Sequence, residues 1–477
     1  MVNERIIELK NISKSIKHKL IINDLSHRID RGSFSGIYGM NGSGKSLLSE
    51  IMAGRIEPDS GRIIKKAGGC RVSVVSSSEE RRLLEEERRN DDTDFMQGKI
   101  DPGRSVRQFI RAGIWTSEID FDDLASEFEM TNVLDRGLRF LSTGEFRKCL
   151  LLRAILEAPD LLILDDPFAG LDLVMRKELR KLIGRIEGAI EAVLIISGRM
   201  SDFDGLTSDI RILGDGATIE GRAGKMEVRT AVPDEVSTEP ETEPCPAMEL
   251  VRLEGVCLSY YDLKVLTDIN WKIVSGEHWQ IRGRNGSGKS SLLSLVNGDN
   301  PKAYGQKIDL FGRRRGTGET VWDIKKRIGT VSGTLQQNHR ISQSVLSVAV
   351  SGFFDSIGLY EKPNLHQLET AEHWCLQFGL KDCLKTSFSD LSEGFKRKVL
   401  TVRAVIKKPD LLILDEPCQG LDDYNAAVVL ETVELLLEKK HSTLLYVSHD
   451  PEHNMKSITN IMDLVPHEDG GYTNRNS

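Results

Sequence analysis

Long uncharged runs and aromatic side chains are both scarce in this chain of 477 residues. The longest stretch without Asp, Glu, Lys or Arg extends from Ile341 to Phe354, only 14 residues, and Ser and Gln interrupt it. A helix that spans a bilayer needs about 20 apolar residues. The N-terminal segment contains Glu4 and Glu8 and has no apolar core, unlike a signal or transit peptide. We therefore expect a soluble cytoplasmic protein without a membrane span that is at most peripheral to a membrane.

Aromatic residues make up 6% of the chain, and the net charge is −8. This composition gives no support to a nucleic-acid surface, and we expect no nucleic-acid partner. No C-x-x-C pair occurs, and a zinc site or a disulfide framework needs tighter clustering of cysteines than this chain has. We therefore expect ordinary reduced thiols. The cysteines are Cys70, Cys149, Cys245, Cys257, Cys375, Cys383 and Cys418.

Three sequence segments occur twice, in the same order. The segment GMNGSGKS at 39–46 recurs as GRNGSGKS at 283–290. The other two are LSTGE and PDLLILDDP at 141–145 and 159–167, which recur as LSEGF and PDLLILDEP at 391–395 and 409–417. The offsets are 244, 250 and 250 residues, so order and spacing are both kept. Such repetition indicates a duplicated domain.

An acidic segment separates the two copies. Residues 231–250, AVPDEVSTEPETEPCPAMEL, contain six acidic residues, four prolines and no Lys or Arg. A segment this polar and this rich in proline cannot bury apolar surface, which predicts a flexible tether. The expected organisation is a first domain at 1–222, an acidic linker at 223–249 and a second domain at 250–477.

Apolar runs alternate with helical patterns in both copies. Leu161–Leu164 and Leu411–Leu414 are unbroken apolar runs, typical of strands buried on both faces of a parallel sheet. Between the glycine-rich segment and the LS-x-G segment lie about 95 residues with helical stretches, for example 121–135 and 371–378, which predict an inserted helical subdomain. Residues 79–92, EERRLLEEERRNDD, mix both charges and predict a solvated helical face.

The G-x-x-x-x-G-K-S pattern predicts a phosphate-binding loop in each copy. Glycines allow consecutive backbone N–H groups to turn inward and hold phosphates at a helix N-terminus. Lys45 and Lys289 would reach the β- and γ-phosphates, and Ser46 and Ser290 would ligate Mg²⁺. The expected ligands are therefore nucleotide phosphates and Mg²⁺. The other predicted phosphate-binding residues are Gly39, Asn41, Gly42, Gly44, Gly283, Asn285, Gly286 and Gly288.

Carboxylates follow the buried strand in each copy. Asp165 and Asp415 would hold the metal, and Glu416 is placed to polarise the attacking water. The first copy has Asp166 at the position of Glu416, one methylene shorter. Because positioning supplies most of the catalysis in phosphoryl transfer, a carboxylate drawn back by about one C–C bond should be the poorer base.

The LS-x-G segments begin basic amphipathic stretches 23 residues before Asp165 and Asp415. Ser142 and Gly144, and likewise Ser392 and Gly394, would offer a hydroxyl and a backbone N–H to an anion at a helix N-terminus. A plain helix N-cap is the better explanation of such a serine when it stands alone. The constant spacing in both copies favours an anion site.

Taken together, these segments resemble the ATP-binding cassette (ABC) ATPases. The glycine-rich segment corresponds to the phosphate loop (P-loop), the LS-x-G segment to the signature and the LLILD segment at 161–165 and 411–415 to the Walker B strand. The GLD segments at 170–172 and 420–422 correspond to the D-loop. Residues 271–298, 310–323 and 351–360 are similar to the ModF-type tandem ABC ATPases, a family associated by name with molybdate transport. The resemblance implies an α/β fold with two P-loop cassettes in one chain. Each cassette would have a RecA-like parallel sheet, an antiparallel β region and an inserted helical subdomain.

The resemblance also implies that the cassettes pair head to tail around two ATP molecules. Each ATP would lie between the phosphate loop of one cassette and the signature of the other. Site A would combine Lys45, Ser46, Asp165 and Asp166 with Ser392 and Gly394. Site B would combine Tyr260, Lys289, Ser290, Asp415, Glu416 and His449 with Ser142 and Gly144.

The two copies depart differently from the family pattern. Tyr260 corresponds to the aromatic residue that stacks on adenine, and Ile16 takes its place in the first copy. His449 corresponds to the switch histidine, whereas the first copy has Gly198 and Arg199 after its strand. Neither copy has the usual glutamine directly after its second core strand. We therefore expect ATP hydrolysis mainly at site B.

Three functions are compatible with these motifs. The first is an ATPase that energises or regulates a separate membrane permease, of molybdate type if the ModF resemblance extends that far. The second is a ribosome or translation factor of the ABC-F kind, but those proteins have a long charged helical hairpin between the cassettes that residues 223–250 cannot supply. The third is a DNA-associated ATPase. DNA binding requires a basic surface, whereas the domains are close to neutral and the linker is acidic.

Overall fold

The computed structural model describes residues 4–16, 19–90, 101, 103–112, 120–186, 188, 190–214, 219–222, 248–261, 263–333, 342–438, 442–448, 450 and 453–476. The chain divides into two compact units, Met1–Val228 and Arg229–Ser477. Most of the acidic linker, 223–247, lies outside the described residues. Met248 is the first described residue of the second unit, and its backbone N–H donates to Ser275 Oγ at 2.9 Å. The three predicted domain boundaries stay a prediction.

The first unit contains nine strands and six α-helices among the described residues. Its strands are β1 (Arg5–Ile16), β2 (Lys19–Asp30), β3 (Phe34–Gly39), β4 (Ser60–Lys65), β5 (Val72–Ser76), β6 (Leu161–Asp165), β7 (Ala192–Ser197), β8 (Ile210–Leu213) and β9 (Ile219–Arg222). Its helices are α1 (Lys45–Met52), α2 (Ser77–Arg89), α3 (Val106–Arg111), α4 (Phe121–Glu127), α5 (Thr143–Leu156) and α6 (Leu173–Arg185).

The described part of the second unit contains ten strands and six α-helices. Its strands are β10 (Glu249–Tyr260), β11 (Leu263–Val274), β12 (Trp279–Arg282), β13 (Lys307–Leu310), β14 (Arg313–Arg314), β15 (Ile328–Val331), β16 (Leu411–Asp415), β17 (Thr443–Val447), β18 (Asn460–Pro466) and β19 (Tyr472–Asn476). Its helices are α7 (Lys289–Val296), α8 (Val321–Lys325), α9 (Val345–Val350), α10 (Leu365–Gln377), α11 (Glu393–Val405) and α12 (Asp423–Glu438).

Each unit has a parallel sheet with the same strand order. In the first unit the order is β5-β6-β7-β3-β8-β9, parallel except for β9, and a separate antiparallel sheet has the order β2-β1-β4. In the second unit β15-β16-β17-β12-β18-β19 repeats the core order, and the pair Leu266↔Tyr472 joins it to the antiparallel strands. The predicted α/β class with RecA-like parallel sheets and antiparallel β regions is confirmed.

Strands β6 and β16, the predicted Walker B strands, are buried on both faces. Helices cover one face, and the antiparallel strands together with the P-loop helix cover the other. Alternate residues of a strand point to opposite faces. Leu162 and Leu164 pack in one cluster with Phe146 of α5, whereas Leu161 and Ile163 pack in another with Leu48 of α1. The uninterrupted apolar run therefore fits a parallel strand with no solvent-facing side.

Helices α2, α3 and α4 in the first unit, and α8, α9 and α10 in the second, lie between the glycine-rich loop and the LS-x-G segment, where the helical insertion is predicted. The predicted helical stretch 121–135 is shorter in the structure. Helix α4 starts after Asp120, whose side chain accepts from the N–H groups of Asp122 and Asp123, and it ends at Glu127. Glu129 has φ 55°, a left-handed conformation that breaks the helix.

The predicted solvated face of residues 79–92 is wrong at two positions. Helix α2 forms over Ser77–Arg89, but Glu80 and Glu87 are buried. A buried carboxylate needs a charged or hydrogen-bonding partner. Glu80 contacts Arg147 and Glu87 contacts Arg104, so these two glutamates face the protein rather than water. Residues 91–100 lie outside the described part of the chain.

Candidate nucleotide-binding and catalytic site

The two glycine-rich loops have the same backbone conformation at their last two glycines. Gly42 and Gly44 have φ of 86° and 91°, and Gly286 and Gly288 have φ of 80° and 88°. Residues with a Cβ rarely adopt these left-handed conformations, so glycine is required for the loop to turn into helices α1 and α7. The loops also contain Gly39, Asn41, Gly283 and Asn285, as predicted from the sequence.

The P-loop lysines lie against their own loops. Lys45 Nζ donates to the carbonyl oxygens of Gly39 and Met40 at 2.6 and 2.9 Å. Lys289 Nζ makes the same pair of contacts, with Gly283 O at 3.0 Å and Arg284 O at 2.8 Å. Both ammonium groups are therefore held at the loop where a phosphate would be cradled.

One hydroxyl inside each loop is an orphaned donor. Ser43 Oγ and Ser287 Oγ are buried and have no hydrogen-bond partner among the residues that the structure describes. A buried hydroxyl without a partner is costly. A phosphate oxygen in the loop would supply the acceptor, so the two loops fit a nucleotide phosphate.

Asp165 ends strand β6 next to helix α1. Its Oδ2 accepts from Ser49 Oγ at 3.5 Å, and its Oδ1 has no hydrogen-bond partner within the described part of the chain. Burial raises the pKa of Asp165 to about 7, the neighbouring Asp166 carboxylate adds to this, and the Ser46 and Ser49 hydroxyls act in the opposite direction. A divalent cation would compensate the buried charge and use the orphaned oxygen, so these residues fit Mg²⁺.

The second unit places Asp415 and Ser290 in the corresponding positions. Ser290 Oγ donates to Asp415 Oδ2 at 3.4 Å. Burial raises the pKa of Asp415 above its usual value, and the Glu416 carboxylate adds to the rise. The structure thus brings together the two residues predicted to hold Mg²⁺ in this copy. In the first copy it also adds Ser49, three residues after Ser46 on the same face of helix α1, which the sequence prediction missed.

The residues that follow the metal-site aspartates have equivalent backbones. Asp166 and Glu416 have φ of 49° and 51°. The Asp166 N–H donates to Ile196 O at 2.8 Å, and the Glu416 N–H donates to Val447 O at 2.9 Å. Both side chains therefore start from the same place relative to the sheet. The difference between the copies is the length of the carboxylate arm.

The loop after β7 binds the shorter carboxylate. Asp166 Oδ1 accepts from the backbone N–H of Gly198 at 3.3 Å. Ser197 Oγ donates to Asp202 Oδ2 at 2.6 Å and accepts from the Arg199 N–H at 3.1 Å, which closes the loop. In the second copy Ser448 Oγ accepts from the Asp450 N–H at 3.1 Å. His449, the predicted switch histidine, lies outside the described residues.

Tyr260 is the last residue of β10, and Ile16 is the last residue of β1. The Tyr260 hydroxyl accepts from Asn300 Nδ2 at 3.0 Å, and Lys302 Nζ lies 5.1 Å from the ring centroid. The ring is held at two points yet 39% of the residue is exposed. An anchored aromatic ring that is open to solvent can stack on a base. Ile16 offers no aromatic face at the same strand position.

The signature serines cap their helices. Ser142 Oγ accepts from the Glu145 N–H at 3.3 Å, and the Glu145 carboxylate accepts from the Ser142 N–H at 2.8 Å, a capping box. Ser392 caps α11 through the Phe395 N–H at 3.4 Å. A Cβ on Gly144 would lie 2.4 Å from Met175 Cε, so this glycine permits close packing. Gly394 occupies the corresponding turn of α11.

The structure describes each unit by itself. The predicted combination of one unit's P-loop with the other's signature, and with it sites A and B, stays a prediction. Within the described residues, no helix is long and apolar enough to cross a membrane.

Comparison with known proteins identifies the duplicated domain. The family model described as ABC transporter matches residues 22–169 and 266–419. The ABC transporter ATP-binding protein ModF of Escherichia coli K12 is 37% identical over 465 residues, which cover 93% of each chain. An uncharacterized ABC transporter ATP-binding protein of Schizosaccharomyces pombe is 32% identical over 308 residues, 63% of each chain.

Two solved structures share the fold. The archaeal ribosome recycling factor aABCE1, in a complex with the ribosomal stalk protein aP1, has a TM-score of 0.61 with 18% identity and covers 97% of this chain and 89% of its own. ABCE1 in a model of ribosome-bound archaeal Pelota and ABCE1 gives 0.64 with 19% identity, over 98% and 78%. The predicted ABC fold and ATPase activity are confirmed by the family match. The chain therefore belongs to the ABC transporter family, as a tandem ABC ATPase similar to ModF.

Proposed function

We propose that the chain binds two MgATP between head-to-tail cassettes, hydrolyses ATP mainly at the site built on the second unit, and energises or regulates a separate transport system. The observation that supports this proposal most directly is the comparison of Asp166 with Glu416. They share one backbone conformation, yet the side chain of Asp166 is one methylene shorter and is bound to Gly198. The difference in side-chain length lies at the group that would activate water.

The second unit supplies the residues for cleavage. Lys289 would neutralise phosphate charge, and Ser290 and Asp415 would hold Mg²⁺, which stabilises the charge on the β- and γ-phosphates. Glu416 would accept a hydrogen bond from the attacking water and orient it in line with the γ-phosphate. His449, outside the described residues, would contact the γ-phosphate.

The first unit supplies the residues for binding. Lys45, Ser46 and Asp165 would hold the nucleotide phosphates and Mg²⁺. Ile16 cannot stack as Tyr260 can, and Asp166 is tied to the loop after β7. A site with intact phosphate contacts but a poor base binds ATP and cleaves it only slowly. The nucleotide at site A would therefore serve as a lasting part of the cassette interface.

The coupled process is proposed from the relatives. The 37% identical relative is named as an ABC transporter ATP-binding protein, ModF, which favours a membrane permease as the partner of this chain. The molybdate type is proposed from the family resemblance alone. The runner-up is an ABC-F-like ribosome or translation factor, and a DNA-associated ATPase ranks behind it. The likeness to ABCE1 structures, at 18–19% identity, concerns the fold and adds nothing to the ribosome alternative.

Affinity purification of a trapped complex tests the coupled process. A tagged Glu416→Gln chain would hold ATP and its partner, while Asp166→Asn serves as the matched control that still turns over. We expect membrane proteins with permease-type spans to copurify with Glu416→Gln in ATP and to be released in ADP. Copurification of ribosomal subunits in their place would contradict the transport proposal and favour the translation factor.

A further inference from the structure

Arg147 of helix α5 is almost fully buried, with 2% of the residue exposed. Its Nε and Nη2 atoms donate to Glu80 Oε2 at 3.0 and 2.7 Å. Glu80 belongs to helix α2 and is also buried. The two residues are 67 positions apart. This buried ion pair therefore joins two helices that approach the nucleotide site from different parts of the chain.

The third nitrogen of the same guanidinium reaches the turn after β6. Arg147 Nη1 donates to the carbonyl oxygens of Asp166 and Pro167 at 3.1 and 2.9 Å. The turn comes directly after the metal-site aspartate Asp165 and contains the carboxylate of Asp166. Arg147 therefore holds the main chain of this turn, while Glu80 holds Arg147.

The planar guanidinium suits this task. It presents five N–H donors in a fixed fork, so one group can bind a carboxylate on one edge and carbonyls on another. An ammonium has three donors on a flexible stem and cannot match both directions at once. The second unit has an arginine at the same place in its signature helix, Arg397, and its Nη2 donates to Gln419 Oε1 at 3.3 Å, in the turn after Glu416. Contact between this arginine and the turn thus occurs in both copies.

We propose that Glu80 and Arg147 are a positioning pair for the first nucleotide site: they fix the turn after β6 and thereby set the retention of MgATP on Lys45, Ser46 and Asp165. The proposal rests on the proposed role of site A as a retaining site. In this proposal both residues act on the nucleotide only indirectly, through the main chain of the turn. A displacement in this turn would shift Asp165 relative to the P-loop helix.

Nucleotide release from the first site tests the proposal. The reference protein is the full chain with Lys289→Ala, which removes the P-loop lysine of the second unit. Fluorescent N-methylanthraniloyl-ATP bound with Mg²⁺ then reports the first site. Its release is followed in a chase with unlabelled ATP. In this reference chain we expect slow release. The additional substitution Arg147→Lys keeps a positive charge beside Glu80 but loses the simultaneous contact with the turn. Release should become about tenfold faster, at the lower end of the roughly 10–100-fold losses in metal affinity that follow loss of an outer-shell contact. The Mg²⁺ concentration for half-maximal retention should rise in parallel.

A second arginine of the same helix provides the control. Arg153 Nε pairs with Glu157 at 3.3 Å, and both side chains are partly exposed. Arg153→Lys makes the same chemical change away from the turn and should leave release within about twofold of the reference, because a partly exposed ion pair contributes little energy. The thermal midpoint of Arg147→Lys without nucleotide should fall, because a buried ion pair is weakened, but a midpoint well above the assay temperature separates positioning from general unfolding.

The outcomes test the role of the Glu80–Arg147 pair and the proposed retention at site A separately. Slow release in the reference with no change in Arg147→Lys overturns the positioning role alone. Fast release already in the reference overturns the proposed retention at site A, and the positioning role with it. If Arg147→Lys does not fold, the double variant Glu80→Leu/Arg147→Met decides, because it leaves no buried charge unpaired. A folded double variant that keeps slow release also overturns the proposal, and one with fast release supports it.

Discussion

The Asp166 carboxylate accepts a hydrogen bond from the backbone N–H of Gly198, 3.3 Å away and 32 residues further along the chain. This contact joins the turn after one core strand to the loop after its neighbour. An oxygen that already accepts from the main chain has less capacity left for a water molecule. In the second unit the longer Glu416 starts from the same backbone position. The proposed division between a retaining site and a cleaving site rests on the shorter carboxylate of the first unit.

Lys398 is predicted to make stability depend on pH. It is buried in α11, and its Nζ donates to Asn425 Oδ1 at 3.0 Å and lies 5.1 Å from the ring of Phe395. Burial lowers the pKa of Lys398 from 10.5 to about 8, although Asp422 and Cys383 act in the opposite direction. Between these two values the unfolded chain binds the proton and the folded chain does not. The free energy of unfolding should therefore rise with pH across this window, by about 3 kcal/mol in total.

Lys398→Met is the comparison that isolates this effect. Guanidinium chloride unfolding at pH 7.5, 8.5 and 9.5 gives the free energy of unfolding of both chains. The difference, wild type minus Lys398→Met, should grow with pH. A difference that is constant over this range would contradict the lowered lysine pKa.

Gly329 in β15 is predicted to tolerate no side chain. A Cβ there would lie 2.2 Å from Ala404 O and 2.9 Å from Pro409 Cγ. Gly329→Ala forces the strand away from α11 and should destabilise the second unit by about 1–3 kcal/mol. Gly184 in α6 has only Leu206 Cδ2 near a built Cβ, at 3.9 Å, so Gly184→Ala should stabilise the first unit by about 0.5–1 kcal/mol. Thermal unfolding of the two variants should give midpoint shifts of opposite sign, and equal shifts would refute the steric argument.

The acidic linker is predicted to provide reach and no catalytic group. Replacement of residues 231–246 by a Gly/Ser segment of equal length should leave steady-state ATP turnover nearly unchanged, because a polar segment with four prolines cannot bury much surface. A loss of more than about tenfold, or roughly 1.4 kcal/mol of barrier, would show that the linker docks on a cassette and controls it.

Much of the fold could be predicted because its pattern is local. The apolar runs at 161–164 and 411–414 lie in strands β6 and β16, and the G-K-S segments end in loops that pass into α1 and α7. The end of α4 was harder to predict, because Glu129 adopts a left-handed conformation that glutamate rarely takes. The single pair Leu266↔Tyr472 that joins the sheets of the second unit depends on tertiary packing and has no sequence signal.

The site was predictable in its motifs but not in its supporting contacts. Ser49 could have been found, because it lies three residues after Ser46 on the same helix face. Glu80 could not, because it is one of several glutamates in a strongly charged helix and its partner Arg147 is 67 residues away. Nothing local distinguishes a buried glutamate from its exposed neighbours. A partner across the fold decides which of them is buried.

Steady-state ATP turnover of Glu416→Gln and Asp166→Asn, purified side by side, tests the division of labour between the two sites. Loss of a group that polarises water costs on the order of 10²–10⁴ in rate. Glu416→Gln should therefore nearly abolish ATPase activity, while Asp166→Asn should change it only a few-fold. If Asp166→Asn is as inactive as Glu416→Gln, both sites cleave ATP and the asymmetry is wrong.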